Sequence, residues 1–98
     1  MTYCFDLDGT ICSHEQDYSK AVPFRERIIQ INNLYEEGNR ILIETARGSE
    51  TGIDWFGLTK NQLEEWGLKY HELRVGKKIV ADVYVDDKGI NDKLFFII

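Results

Sequence analysis

Short apolar runs alternate along the chain with stretches in which apolar residues recur at helical spacing. Thr2 to Phe5, rich in β-branched and aromatic side chains, is too short for a helix and too apolar for a surface loop, and predicts a buried strand. Ile11 to Val22 is polar and irregular, with His14, Glu15, Gln16 and Asp17 clustered, and predicts a loop or small flap. Pro23 then opens and Gly38 closes a helical stretch whose apolar positions, Phe24, Ile28, Ile31, Leu34 and Tyr35, make one face for a sheet.

Arg40 to Thr45 predicts a second strand, and strand, helix, strand in that order predicts a parallel pair with a right-handed crossover. Gly48 to Gly52 reads as a loop. Asp54 to Trp66, closed by Gly67, reads as a second amphipathic helix or two short ones, with Trp55, Leu58, Leu63 and Trp66 as its buried stripe and Lys60 in solvent. Leu68 to Leu73, containing His71, alternates as an edge strand would, and Val83 to Val85 is the last clear strand. The apolar close, Leu94 to Ile98, predicts a buried final element or a subunit contact, so a homo-oligomer is one expectation.

Ninety-eight residues suffice for one core and therefore one domain, residues 1–98. Twelve basic against seventeen acidic residues, net −5, disfavour a nucleic-acid partner, which would need a basic surface. A small substrate fits better. Cys4 and Cys12 are too few for a disulfide framework and lack metal-ligand spacing, so both are expected as reduced thiols. With no leader visible and no apolar run near the roughly 20 residues a membrane span needs, the expectation is a cytoplasmic protein with no membrane partner.

Two of the strands end in acid. Asp6 and Asp8 follow the first, with Gly9 and Thr10 marking a turn, and Asp86 and Asp87 follow the last. Carboxylates two apart would share one face of a continuing strand and could not comfortably be buried with it, and adjacent carboxylates repel unless a cation sits between them. An acidic turn in solvent would account for either pair alone. Both pairs at strand ends fit a ligand crevice better, because in parallel sheets that is where ligands bind. Thr45, Ala46 and Arg47 end the second strand; a hydroxyl and free N–H groups there can donate to an anion, and Arg47 could clamp a phosphate or serve a structural ion pair. Glu44 must face the opposite side of the sheet from Thr45.

Asp6-Leu7-Asp8-Gly9-Thr10 resembles the signature of the haloacid dehalogenase superfamily, whose members are mostly Mg²⁺-dependent phosphohydrolases. Ile43 to Gly48 looks like that family's second motif, Lys77 or Lys78 like its third, and Asp86-Asp87 like its fourth, in the family's order. Only about a dozen residues separate Thr10 from the next helix, so the chain resembles a small capless member. The resemblance implies a three-layer, Rossmann-like α/β fold with strand order 3-2-1-4. It implies Asp6 as nucleophile, Asp8 as general acid and base, and phosphate held by Thr45, Ala46 and Lys77, with Thr10, Arg47 and Lys78 as possible substrate or supporting residues. Mg²⁺ would be held by Asp6, Asp8 and Asp86, with Asp87 through water. The implied activity is a phosphomonoesterase on a small phosphorylated metabolite, such as a sugar phosphate or polysaccharide precursor. The alternatives are a receiver-like phosphoryl-binding domain and a phosphotransferase working through the same aspartyl-phosphate.

Overall fold

The computed structural model describes residues 1–76, 83–86 and 90–96. Among these residues five strands form one sheet in the order β3-β2-β1-β4-β5, every pairing parallel. The strands are β1 (Thr2–Asp6), β2 (Arg40–Thr45), β3 (Glu72–Val75), β4 (Val83–Asp86) and β5 (Ile90–Asn91). The helices are α1 (Arg25–Glu36), α2 (Phe56–Glu65) and α3 (Asp92–Phe95), with a 3₁₀ turn at Tyr18–Lys20.

β1 is central because both of its neighbours pair along it, Phe5 lying against Ile43 on one side and Val85 on the other. Its period of two then divides the sheet. Phe5, Ile41, Ile43 and Val85 share one face, and they form the core with Ile28 and Ile31 of α1, Leu63 of α2, Trp66, Leu68 and Phe96. Burying each such side chain contributes about 1.5–3 kcal/mol. The helices described therefore lie on one face of the sheet. The connection from β3 to β4, on which a third layer would have to be built, falls mostly on residues 77–82, outside the described residues. The opposite face is covered nevertheless, since Cys4 and Leu42 are each only 2% exposed, and there Cys4 Sγ donates to Glu44 Oε2 at 3.5 Å.

Some expectations need correction. Phe24 is the residue preceding α1 and is 37% exposed; its ring lies beside the Arg27 guanidinium and does not belong to the core face. α2 starts at Phe56, so Trp55 is not part of a helical stripe, and Leu58 is only half-buried. The third strand is Glu72–Val75, later than Leu68 to Leu73, because Leu68 turns back into the core directly after Gly67. His71 has a structural task there: its Nδ1 accepts from Ile41 N at 3.0 Å, and its ring stacks on Tyr35 at 4.6 Å. At the far end, Phe95 and Phe96 pack on Phe5, with Phe96 buried and Phe95 partly buried against the core. Both cysteines are buried thiols, neither of them in a disulfide.

Candidate active site

The site is built on the turn that follows β1. Leu7 is wholly buried, and its carbonyl accepts from the amides of Thr10, Ile11 and Cys12 at 3.1, 2.8 and 3.3 Å, while Gly9 N donates to Cys12 O at 2.8 Å. Gly9 has φ +86°, a left-handed value open to glycine at little cost. This closed turn fixes Asp8 just past the strand, beside Asp6. Thr10 is 1% exposed and lies outside the cavity lining; its carbonyl accepts from Arg27 Nη1 at 2.9 Å, and the same nitrogen reaches Asp92 at 2.7 Å. Thr10 therefore supports the turn from outside the cavity lining.

A cavity of about 480 Å³ opens above these strand ends. Asp6, Asp8, Thr45, Ala46 and Arg47 line its floor; His14, Gln16 and Tyr18 line one wall, and residues 48–51 with Ile53 and Trp55 line the other. The first wall is a loop pinned at its base, where Ser13 N donates to Val22 O and Val22 N to Ser13 Oγ, both at 2.8 Å. Asp17 caps the 3₁₀ turn in it, accepting from Ser19 N at 3.0 Å and Ser19 Oγ at 2.6 Å, and these bonds hold its carboxyl below the usual range. The second wall depends on Gly48, at φ +80°, where any Cβ would sit 2.1 Å from Ile53 O. The walls meet at Tyr18 and Trp55, whose rings pack edge to face at 5.1 Å. The short run after Thr10 thus builds one side of the cleft, and Tyr18 and Trp55 are candidate site residues that sequence reasoning did not assign.

The floor is organised by Arg47. Its side chain is 0% exposed, against 13% for Asp8, and each of its five N–H donors has an acceptor inside the protein. Nε lies 3.2 and 3.0 Å from Asp8 Oδ1 and Oδ2, and Nη2 lies 2.7 Å from Oδ1 and 3.9 Å from Cys12 Sγ. Nη1 donates to Thr59 Oγ1 at 3.2 Å and Gln62 Oε1 at 2.6 Å, and the guanidinium carbon lies 4.6 Å from the centroid of the Tyr18 ring. Of the two roles the sequence left open for Arg47, the structure shows the ion pair.

Thr45 Oγ1 donates to Asp8 Oδ2 at 3.3 Å and accepts from Arg47 N at 3.2 Å. Cys12, wholly buried beneath Asp8, donates to Asp8 Oδ1 at 3.6 Å; desolvation first, and the Asp8 charge second, push its thiol up to about 12.

Asp86 ends β4 one residue beyond Val85, the partner of Phe5, so its backbone stands at the same edge of the sheet as Asp6. Lys77, Lys78 and Asp87 lie outside the described residues, and so does the carboxylate of Asp86. Among the described residues no three His, Cys, Asp or Glu side chains cluster as metal ligands. Asp6 and Asp8 do put carboxylate and main-chain oxygens at one strand end, and hard oxygen donors of this kind suit Mg²⁺. Asp92, at the start of α3, is tied to Arg27 and lies outside the cavity lining.

No family model matches the chain, and no curated protein does. Among solved structures it is similar to a structural-genomics target from Vibrio cholerae, with 27% identity over 97% of this chain and 87% of that one and a TM-score of 0.77. That likeness, with the parallel sheet and its helices, makes the chain a small α/β protein compatible with a Rossmann-like fold.

Proposed function

We propose that this protein is a phosphomonoesterase of the haloacid dehalogenase type that works through a phosphorylated Asp6. The reading rests on the convergence of Asp6, Asp8 and Thr45 on one cavity at the carboxyl ends of adjacent parallel strands, together with the motif order in the sequence. A carboxylate oxygen of Asp6 attacks phosphorus in line. The ester P–O bond breaks, its electron pair stays on the leaving oxygen, and Asp8 gives that oxygen a proton. In the second step Asp8 takes a proton from a water whose oxygen attacks the same phosphorus. The bond to Asp6 then breaks and returns its electron pair to the carboxylate.

The Thr45 hydroxyl and the Ala46 N–H donate to phosphoryl oxygens, and Lys77 or Lys78 adds a positive charge. The single hydroxyl proton of Thr45 is directed at Asp8 in this structure, so a bound phosphoryl group would redirect it. Mg²⁺ would be held by Asp6, the main-chain carbonyl of Asp8, Asp86 and Asp87, and when bound it offsets negative charge on the phosphoryl oxygens. The cavity has the size of a small-molecule site, and Glu50 on its wall with the net charge of −5 disfavours a polyanion, so the substrate is a small metabolite phosphate, sugar phosphates included.

The test is phosphate release from a panel of metabolite phosphates and an aryl phosphate, with Mg²⁺, by the wild type and by Asp6→Asn. Release by the wild type alone is expected. Equal release by Asp6→Asn would remove the nucleophile from the account, and a wild type that takes a phosphoryl group from a donor without releasing it would favour a receiver-like domain.

A further inference from the structure

Gln62 lies outside the cavity lining, on α2, and is 6% exposed. Both ends of its amide are used. Oε1 accepts from Arg47 Nη1 at 2.6 Å, and Nε2 donates to Tyr18 O at 2.6 Å. A core-facing position of a helix is usually apolar, and a buried amide there costs free energy unless both ends find partners. The two contacts join three separate pieces of chain: α2, the Arg47 loop after β2, and the flap that carries Tyr18. Arg47 then passes the connection to Asp8 through its bidentate pair, Nε to Oδ2 and Nη2 to Oδ1, and Tyr18 closes it with its ring against the same guanidinium.

We propose that Gln62 and Arg47 are positioning residues for the proton step. They fix which oxygen of Asp8 exchanges its proton with the substrate, and they link that orientation to the Tyr18 flap. The proposal rests on the phosphomonoesterase reading above. The assignment of the oxygen follows from the contacts. Oδ1 takes the shortest bond from Arg47, at 2.7 Å, as well as the Cys12 thiol, whereas Oδ2 shares only Nε, at 3.0 Å, and the Thr45 hydroxyl, at 3.3 Å. A hydroxyl can reverse from donor to acceptor, which a guanidinium cannot. Oδ2 can therefore gain and lose a proton while Oδ1 stays anchored. Gln62 and Thr59 hold Arg47 from behind, on Nη1, the one nitrogen that does not face Asp8.

A positioning role of this kind makes a demand that mere folding does not. Protonation of the leaving oxygen matters for an alkyl ester, whose alkoxide is a poor leaving group, and hardly at all for an activated aryl ester. The experiment compares the rate of alcohol or phenol release in the first turnover for an alkyl phosphate and for dinitrophenyl phosphate, with Mg²⁺, in the wild type, Gln62→Leu, Thr59→Val and Arg47→Lys. That rate reports phosphorylation of Asp6 and not the later hydrolysis, which uses Asp8 as base for both esters. We expect Gln62→Leu to slow the alkyl ester on the order of tenfold to a hundredfold, the range for a group displaced by about an ångström, and the activated ester less than about twofold. Arg47→Lys should show the same split more strongly, because one ammonium cannot hold both oxygens of Asp8. Thr59→Val should show it more weakly, and it decides the matter if Gln62→Leu fails to fold. Equal slowing of both esters in the folded variants would overturn the positioning role while leaving the phosphomonoesterase reading intact. Failure of that reading is distinct, since the wild type itself would then release phosphate from neither ester.

Discussion

Arg47 Nη2 lies 2.7 Å from Asp8 Oδ1, and the Arg47 side chain is completely buried. Arg47→Met would leave Asp8, Thr59 and Gln62 without their common donor and place an uncompensated carboxylate beneath the cavity. Removing one partner of a buried pair costs about 3–5 kcal/mol, and the slight exposure of Asp8 points to the lower end. Urea unfolding should show a loss of about 3 kcal/mol, and Asp8→Asn together with Arg47→Met should lose less than the sum of the two single changes. Strict additivity would mean that the pair is not coupled.

The wall of residues 48–55 depends on a backbone conformation that glycine alone supplies cheaply. Gly48→Ala adds a Cβ that meets Ile53 O at 2.1 Å, with Trp55 Cδ1 at 2.9 Å, on a residue at φ +80°. Backbone strain of this kind costs about 1–3 kcal/mol, so the loop should shift rather than absorb the contact. The expected outcome is a fall in urea midpoint and a change in tryptophan emission as Trp55 loses Tyr18. Wild-type emission and stability would contradict the packing described for this wall.

Burial and the Asp8 charge raise the Cys12 thiol to about 12, well above the roughly 8.5 of an unfolded chain. The folded protein then keeps a proton that the unfolded chain gives up, so this contribution to stability is complete below about pH 8.5 and is lost as pH rises toward 12. Relative to Cys12→Ala, the wild type should lose about 1.4 kcal/mol more per pH unit between about pH 9 and 11. Denaturation curves at several pH values measure the difference. At pH 8 a thiol reagent should modify Cys12 only after unfolding.

Much of this site could be read from sequence because the chemistry lies at strand ends. Asp6, Asp8 and Thr45 each interrupt an apolar run, and the βαβ order alone puts Asp6 and Thr45 at the same edge. Arg47 was visible as a candidate, but its choice between ligand and ion pair depends on Thr59 and Gln62, twelve and fifteen residues away on a helix that periodicity treats as a generic amphipathic element. Trp55 was misplaced for a related reason. Its spacing to Leu58 fits a helix, yet the chain between Gly52 and Trp55 is irregular, Ile53 and Trp55 line the cavity wall, and α2 begins only afterwards. His71 illustrates the same limit, since its partner is a backbone amide thirty residues away and no local pattern reports it.

That partner gives a further prediction. His71→Phe preserves the stacking on Tyr35 but leaves the Ile41 N–H without its acceptor, at a cost of about 1–3 kcal/mol. Hydrogen exchange at the Ile41 amide should accelerate and thermal stability fall, while phosphate release per folded molecule stays at the wild-type level. A large loss of turnover in a fully folded His71→Phe would place His71 in the chemistry after all.

The most direct measurement is the identity of the residue that carries phosphate during turnover. Wild type, Asp6→Asn and Asp8→Asn are mixed with an aryl phosphate and Mg²⁺, quenched in acid within the first turnover, digested and analysed by mass spectrometry. The account predicts one phosphoryl group on Asp6 in the wild type and none in Asp6→Asn. Asp8→Asn should accumulate the group on Asp6, because the hydrolytic step lacks its base. Phosphate released by a wild type that never carries it, or that carries it on another residue, would contradict the account.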